Sequence, residues 1–252
     1  MKTLFITCLA LCVSHITLAQ EAVNFKLNPE IGKPLHFNMF MKTDIDGPKS
    51  VIMDMNMKME MLPAKKENEN FTIENIIKTI KADINAEMMT VSYNSEEEAT
   101  DETTKMIGEQ LSRIIDKKIS SIITEKGKTI DVNLPTSFAA QGFDASSFSK
   151  MSPSFPDNEV TPGESWDSIT EVNENPLFST IEMTSTFLEE NDEGYVIDIQ
   201  GKMFHSSGEE IGTMTGSYTL DKQTHFTIAS AIKTTIEVQG STIISDVEMT
   251  VD

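Results

Sequence analysis

Apolar and polar side chains alternate with a period of two over most of this chain, the signature of strands that bury one face. The first alternating stretch runs over residues 21–45. Leu35, Phe37, Met39 and Met41 share one face, His36, Asn38 and Lys42 the other, and Phe40 is the one apolar residue on the polar side. Asp46-Gly47-Pro48 supplies a turn. The chain then returns through Val51, Met53, Met55, Met57, Met59 and Met61, with Asp54, Asn56, Lys58 and Glu60 between them. Residues 71–80 and 86–93 read as two more strands, joined by a bulged hairpin through Asp83-Ile84-Asn85.

The period then changes. Ser95 and Glu98 have the spacing of a capping box, which predicts a helix within residues 96–118. Its stripe of Met106, Ile107, Leu111, Ile114 and Ile115 is to lie against the sheet. Residues 119–124 and 128–132 flank Glu125-Lys126-Gly127 as a hairpin. Over 134–151, Phe138, Phe143 and Phe148 are spaced too irregularly for a strand, and short helices or an ordered cap are expected. A connector follows, carrying Phe155, Pro156, Pro162, Gly163 and the single tryptophan, Trp166. Its prolines enforce extended, irregular backbone. Pro162-Gly163 reads as a tight turn, and Trp166 as a plug between the halves. Beyond it, strands are expected over 180–188, 195–204, 210–220, 224–238 and 241–251. The fold class is therefore mainly β with minor α: two consecutive antiparallel meanders forming a curved sheet or half-barrel, with helical insertions between them.

Residues 1–19 have the basic tip and short apolar run of a secretory signal peptide. Residues 20–252 then form one domain: a first meander plus helix over 20–151, the connector over 152–167 and the second meander over 168–252. Both cysteines, Cys8 and Cys12, fall inside the signal, so the remaining chain has no thiol for a disulfide or a metal. Leu11 before Cys12 argues against lipid attachment there. No later run is long and apolar enough to span a bilayer as a helix. The protein is expected outside the cytoplasm, periplasmic or secreted. A net charge of −20 disfavours nucleic acid as a partner.

The candidate site is the methionine stripe. Met53, Met55, Met57, Met59 and Met61 point the same way, and three readings are open: an irregular core, a wall of an adaptable apolar pocket, or a soft-metal site built from thioethers. In the pocket reading, Leu111, Ile114 and Ile115 of the helix face the stripe across the ligand. Signals for catalysis are sparse. Gly163-Glu164-Ser165-Trp166-Asp167 begins like a nucleophile elbow but lacks its final glycine and its strand-turn-helix setting. His36, His205 and His225 are widely separated, and each reads as a surface histidine. Carboxylates are abundant, without a spacing that marks a catalytic pair. No residue set has the count and type of a structural zinc site. No cofactor and no enzymatic activity are expected.

The order of signal peptide, Met-rich meander, Tyr93-Asn94-Ser95, helix, Gly127 hairpin and the run from Phe155-Pro156-Asp157 to Pro162-Gly163-Glu164-Ser165-Trp166 resembles an uncharacterised family of secreted Bacteroidota proteins, a domain of unknown function. The resemblance spans nearly all of residues 20–252 and implies no catalytic residue. In architecture alone, a curved antiparallel sheet with helices in its concavity is similar to the half-barrels of periplasmic lipoprotein carriers. Two function classes follow as expectations: a carrier of a lipid or other apolar ligand, or an envelope component with a filled core that meets a protein partner.

Overall fold

The computed structural model describes residues 21–87, 89–136, 154–172 and 178–252. The expected signal peptide and nearly all of the phenylalanine-bearing segment before the connector lie outside the described residues. The elements are β1 (Leu35–Asp46), β2 (Val51–Glu67), β3 (Asn70–Ala86), β4 (Met89–Asn94), α1 (Glu102–Leu111), β5 (Lys118–Thr124), β6 (Thr129–Asn133), β7 (Ser165–Glu171), β8 (Thr180–Glu190), β9 (Tyr195–Phe204), β10 (Glu210–Leu220), β11 (Thr227–Val238) and β12 (Ser241–Val251). All strands join one twelve-stranded antiparallel sheet in the order β6-β5-β3-β2-β1-β12-β11-β10-β9-β8-β7, with β4 on the far stretch of β3. Two meanders are thus fused where the first strand meets the last, from Phe37 opposite Val251 to Asp46 opposite Thr242. The ends of the order, β6 and β7, do not pair, so the sheet is not closed into a barrel.

The sheet curls so that distant strands share one core. Phe71 and Ile73 of β3 belong to the same buried cluster as Phe187, Ile197, Ile199, Tyr218 and Leu220 of β8, β9 and β10. An extended strap, residues 21–34, crosses one rim of the concavity. Val23 bridges Val160 of the connector, Leu27 N donates to Glu125 O at 2.7 Å, and Asn28 N donates to Thr224 O at 2.8 Å. Alternation in the strap turns Val23, Phe25, Leu27 and Pro29 inward.

Phe25, fully buried, is the hub of that rim. Its ring lies 5.3 to 6.2 Å from those of Phe187, Tyr195, His225, Phe155 and Trp166. Lys126, from the β5–β6 turn, ties the strap to the connector. Its ammonium donates to Asn24 Oδ1 (2.9 Å), Phe25 O (3.1 Å) and Pro156 O (2.6 Å), acceptors that a methyl group leaves unsatisfied. Lys126→Met is therefore expected to destabilise by about 2 kcal/mol, within the range for hydrogen bonds to charged groups, read as a lower urea midpoint. An unchanged midpoint would show that the strap holds without this tie.

Three local expectations are corrected. The helix lies within the expected residues 96–118 but is capped by Asp101 rather than Ser95, and so starts at Glu102: the Asp101 carboxylate accepts from Thr104 N at 2.9 Å and Thr104 Oγ1 at 2.7 Å. Ser95 is engaged instead at the end of the β3–β4 ladder, accepting from Ile80 N at 3.0 Å. Asp83, Ile84 and Asn85 are no hairpin turn. They continue β3, with Asp83 and Asn85 facing solvent and accepting from Ser92 Oγ (2.5 Å) and Thr90 Oγ1 (3.3 Å) of β4. The bulge lies earlier, at Lys78, where the register slips between Met59–Ile77 and Lys58–Thr79 and so turns both Ile77 and Ile80 inward. Trp166 stands inside an additional strand, β7, which pairs with β8 and ends the strand order among the described residues, rather than in a loop.

Candidate functional site

The methionine stripe faces the concavity and continues across strands. Met57 of β2 opposes Met39 of β1, which opposes Met249 of β12, while Met55, Met41 and Val247 form the next row. Polar Asn56 and Lys58 point to the outer face. The stripe divides between two surroundings. Met55, Met57 and Met59 pack on a cluster containing Ile77, Ile80, Tyr93 and Ile114, together with Ile107, Leu111 and Ile115. Helix and stripe pack on the same cluster, Gly108 letting the helix backbone approach the Tyr93 ring of β4, where a Cβ would stand 2.9 Å from Cε2. Ile114 and Ile115 follow the helix rather than belonging to it, and Met106 points to solvent, 58% exposed. Met53, half-buried, lies between Thr43 and Ile84.

Met61 faces the other surroundings. Beneath the strap lies a solvent-connected cleft of about 360 Å³, lined by Met39, Met61 and Met249, by Ile73, Asn75, Ser121 and Ile123 of β3 and β5, and by Leu27 and Phe155. Tyr218, His225, Phe226 and Thr227 close its opposite wall, although β3, β2, β1, β12 and β11 stand between β5 and β10 in the sheet. A second cavity of about 220 Å³, lined by Phe37, Met59, Ile77, Ile119 and Val132, adjoins it through Met39, Met61, Asn75, Ser121 and Met249. The larger volume lies within the range of small-molecule sites. Leu111, Ile114 and Ile115 line neither cavity; they fill the neighbouring core.

The junction residues build the rim. Phe155 is buried, and its N–H donates to Lys126 O at 2.8 Å. Gly163 turns at φ +90°, a conformation that favours glycine, and donates to Phe187 O at 2.6 Å. Pro162 precedes it in this turn, where Glu164 accepts from Thr161 N at 2.6 Å. Trp166 is partly buried against the core and donates its indole N–H to Ser154 O at 2.9 Å.

Two titratable side chains reach the cleft. Tyr218 is buried, which pushes its phenol well above the ordinary value; Ser185 Oγ beside it pulls weakly the other way. Neither hydroxyl completes a well-formed hydrogen bond among the described residues. His225 is no surface histidine. It is partly buried between Phe25 and Tyr195, at φ +53°, in the turn after β10. Its Nδ1 stands 3.0 Å from Lys26 N and 2.8 Å from Lys26 O. Burial holds its pKa below 6.5, against the opposing pulls of the Lys26 carbonyl and the Asp221 carboxylate.

A depressed histidine pKa means that the unfolded chain binds the proton more readily. Stability should therefore be full above pH 6.5 and decline as pH falls through that value toward the lower folded pKa. Asp221 remains ionised across that window, since hydrogen bonds from Thr224 and Gln223 outweigh burial and keep it below 3.8. Urea midpoints of the parent and of His225→Gln between pH 8 and 5 check this, the variant losing less on acidification. Equal slopes would remove His225 as the cause.

The remaining chemistry is limited. Among the described residues no three His, Cys, Asp or Glu side chains stand together as metal ligands. Ser165 lies in β7 with its hydroxyl 2.8 Å from Thr186 Oγ1, in a strand rather than at an elbow. A larger hollow of about 630 Å³ lies on the outer face above Gly201, among Asp167, Glu182, Gln200 and Lys202. It is shallow and charged, and Thr184 and Glu210 already engage Asp167 and Lys202. The inner cleft, with its largely apolar walls, is the candidate site. That Met39, Asn75, Tyr218, His225 and Met249 meet at this cleft has no local sequence signal, because the convergence comes from long-range pairing and curvature.

The model of a family of unknown function, DUF6263, matches residues 133–241. No curated protein matches the chain. Among solved structures, one of lipovitellin, described for its lipid–protein interactions, superposes with a TM-score of 0.55 at 9% identity, covering 88% of this chain and 25% of that one. The chain therefore spans a quarter of that neighbour, and the likeness is one of fold. A putative outer membrane lipoprotein-sorting protein domain from Vibrio parahaemolyticus aligns at 8% identity with a TM-score of 0.30, over 86% of this chain and 85% of that one, too weakly to bear on the argument. Among the described residues no helix is long and apolar enough to cross a membrane.

Proposed function

We propose that this protein is a non-catalytic, extracytoplasmic binding protein that holds an apolar, lipid-like ligand against the inner face of its curved sheet. The observation that carries this reading is the cleft under the strap, about 360 Å³ with a further 220 Å³ beside it, walled by thioethers that repack around varied shapes. The likeness to the lipovitellin fold supports it. The binding wall is Met39, Met59, Met61 and Met249, while Met55 and Met57 serve the core against the helix.

Titration with the fluorescent probe N-phenyl-1-naphthylamine is expected to saturate at one site per chain and to be reversed by single-chain amphiphiles. Emission that rises without saturation would overturn the reading. A protein partner of the cell envelope is the second reading, favoured by β7, an edge strand among the described residues, where Ile169 stands 70% exposed.

A further inference from the structure

We infer that Met39, Met59 and Met249 form a site for one soft monovalent cation of the cuprous class, held by their thioether sulfurs on the inner face of the sheet. This goes beyond the apolar-ligand reading and does not rest on it. It starts from the register. Met39 of β1 stands directly opposite Met249 of β12, and on its other side it opposes Met57 of β2, which makes Met59 its diagonal neighbour. Direct cross-strand partners have Cβ atoms about 5 Å apart and diagonal ones roughly 7–8 Å. Strand alternation turns all three side chains to the concave face, and all three line the smaller cavity of about 220 Å³. Methionine is unbranched and flexible, so the three sulfurs reach one ion while the ladder stays as it is.

The rest of the lining decides which ion fits. Among the described residues, no Asp, Glu, Lys, Arg or Cys lines this cavity or the cleft beside it, and the polar side chains of the smaller cavity, Asn75 and Ser121, are neutral. A calcium or magnesium ion there would give up hydration and meet no carboxylate. Zinc would find neither thiolate nor imidazole, since His225 lines only the larger cleft. Neutral thioethers are soft donors, which suit cuprous copper and its chemical analogue, the silver ion. Position within the stripe separates these methionines from the others. Met41 and Met55 form the next row and line neither cavity, while Met203 and Met214 are buried in the core. The solvent-connected cleft shares Met39 and Met249 with the smaller cavity and so provides the way in. A net charge of −20 draws cations toward the chain.

The test is calorimetric titration with silver nitrate in chloride-free buffer, with Cys8 and Cys12 alkylated so that no thiol competes. The parent should bind one silver ion per chain, and excess zinc nitrate should not displace it. Met39→Leu and Met249→Leu should each weaken silver binding at least about tenfold, since losing a ligand costs no less than losing the groups that support one. Leucine keeps the volume and apolar character of methionine, so both variants should stay folded. Met41→Leu, in the next row, should bind silver like the parent. Absence of saturable silver binding in the parent would overturn the site. Affinity unchanged in both Met39→Leu and Met249→Leu, or reduced as much in Met41→Leu, would overturn its assignment to this cavity. Saturable binding of N-phenyl-1-naphthylamine by a parent that takes up no silver would remove the ion site and leave the apolar-ligand reading standing.

Discussion

Phe25→Ala is expected to be the most destabilising single truncation in this protein, costing about 4 kcal/mol, in the range measured for fully buried phenylalanines. Phe25 is 0% exposed, and its ring contacts those of strap-facing residues from both sides of the concavity, Phe155, Trp166, Phe187, Tyr195 and His225. Deleting it opens a cavity that these rings, fixed on separate segments of the chain, fill poorly. The loss is a large share of the roughly 5–15 kcal/mol by which domains are stable. Urea unfolding with an unchanged slope and a lowered midpoint would report it. A loss below about 1 kcal/mol would show that the strap is an appendage rather than part of the core. Trp166→Ala should cost less, since that indole is only partly buried on an edge strand.

The second large effect separates two methionines of one stripe. Met57→Asp places a carboxylate opposite Ile80, against the helix-side cluster, and should cost about 3 kcal/mol or more as a charge set on apolar core. Met61→Asp places the same group on the wall of a cleft open to solvent. That protein should stay folded and lose probe binding. Melting and probe titration of the two variants decide the point. If Met57→Asp melts like the parent, the helix-covered end is not core; if Met61→Asp unfolds, its wall is packed rather than open.

Much of the fold was legible because the half-buried strand is a local pattern. The alternation of Met53 to Met61, and of the strands after Trp166, needs only a dry face and a wet one. The fusion of the meanders was not legible, since nothing local in residues 35–46 says that they pair with 242–251. The hub residue had a visible signal that was assigned to the wrong element. Val23, Phe25 and Leu27 do alternate, but as an inward-facing strap outside the main ladder. His225 reads as exposed in a strand extended from 224. Instead Asp221 accepts from Gln223 N, Thr224 N and Thr224 Oγ1 and holds a turn that delays β11 to Thr227. The stripe was readable as a face, not as a division between core and cleft, because that boundary depends on where the cluster around Ile77, Ile80 and Ile114 ends, which long-range packing sets.

Trp166 makes the binding claim directly measurable. It is the single tryptophan of the chain. Its ring centroid lies 6.2 Å from that of Phe25, whose neighbour Phe155 lines the cleft. A naphthylamine probe seated in the cleft is therefore within energy-transfer range of this one donor. Titrating the parent while exciting Trp166 should give saturable loss of tryptophan emission with matching sensitised probe emission, and folded Met61→Asp should give neither. Sensitised emission that is absent from the parent, or equally strong in folded Met61→Asp, would contradict a ligand site beneath the strap.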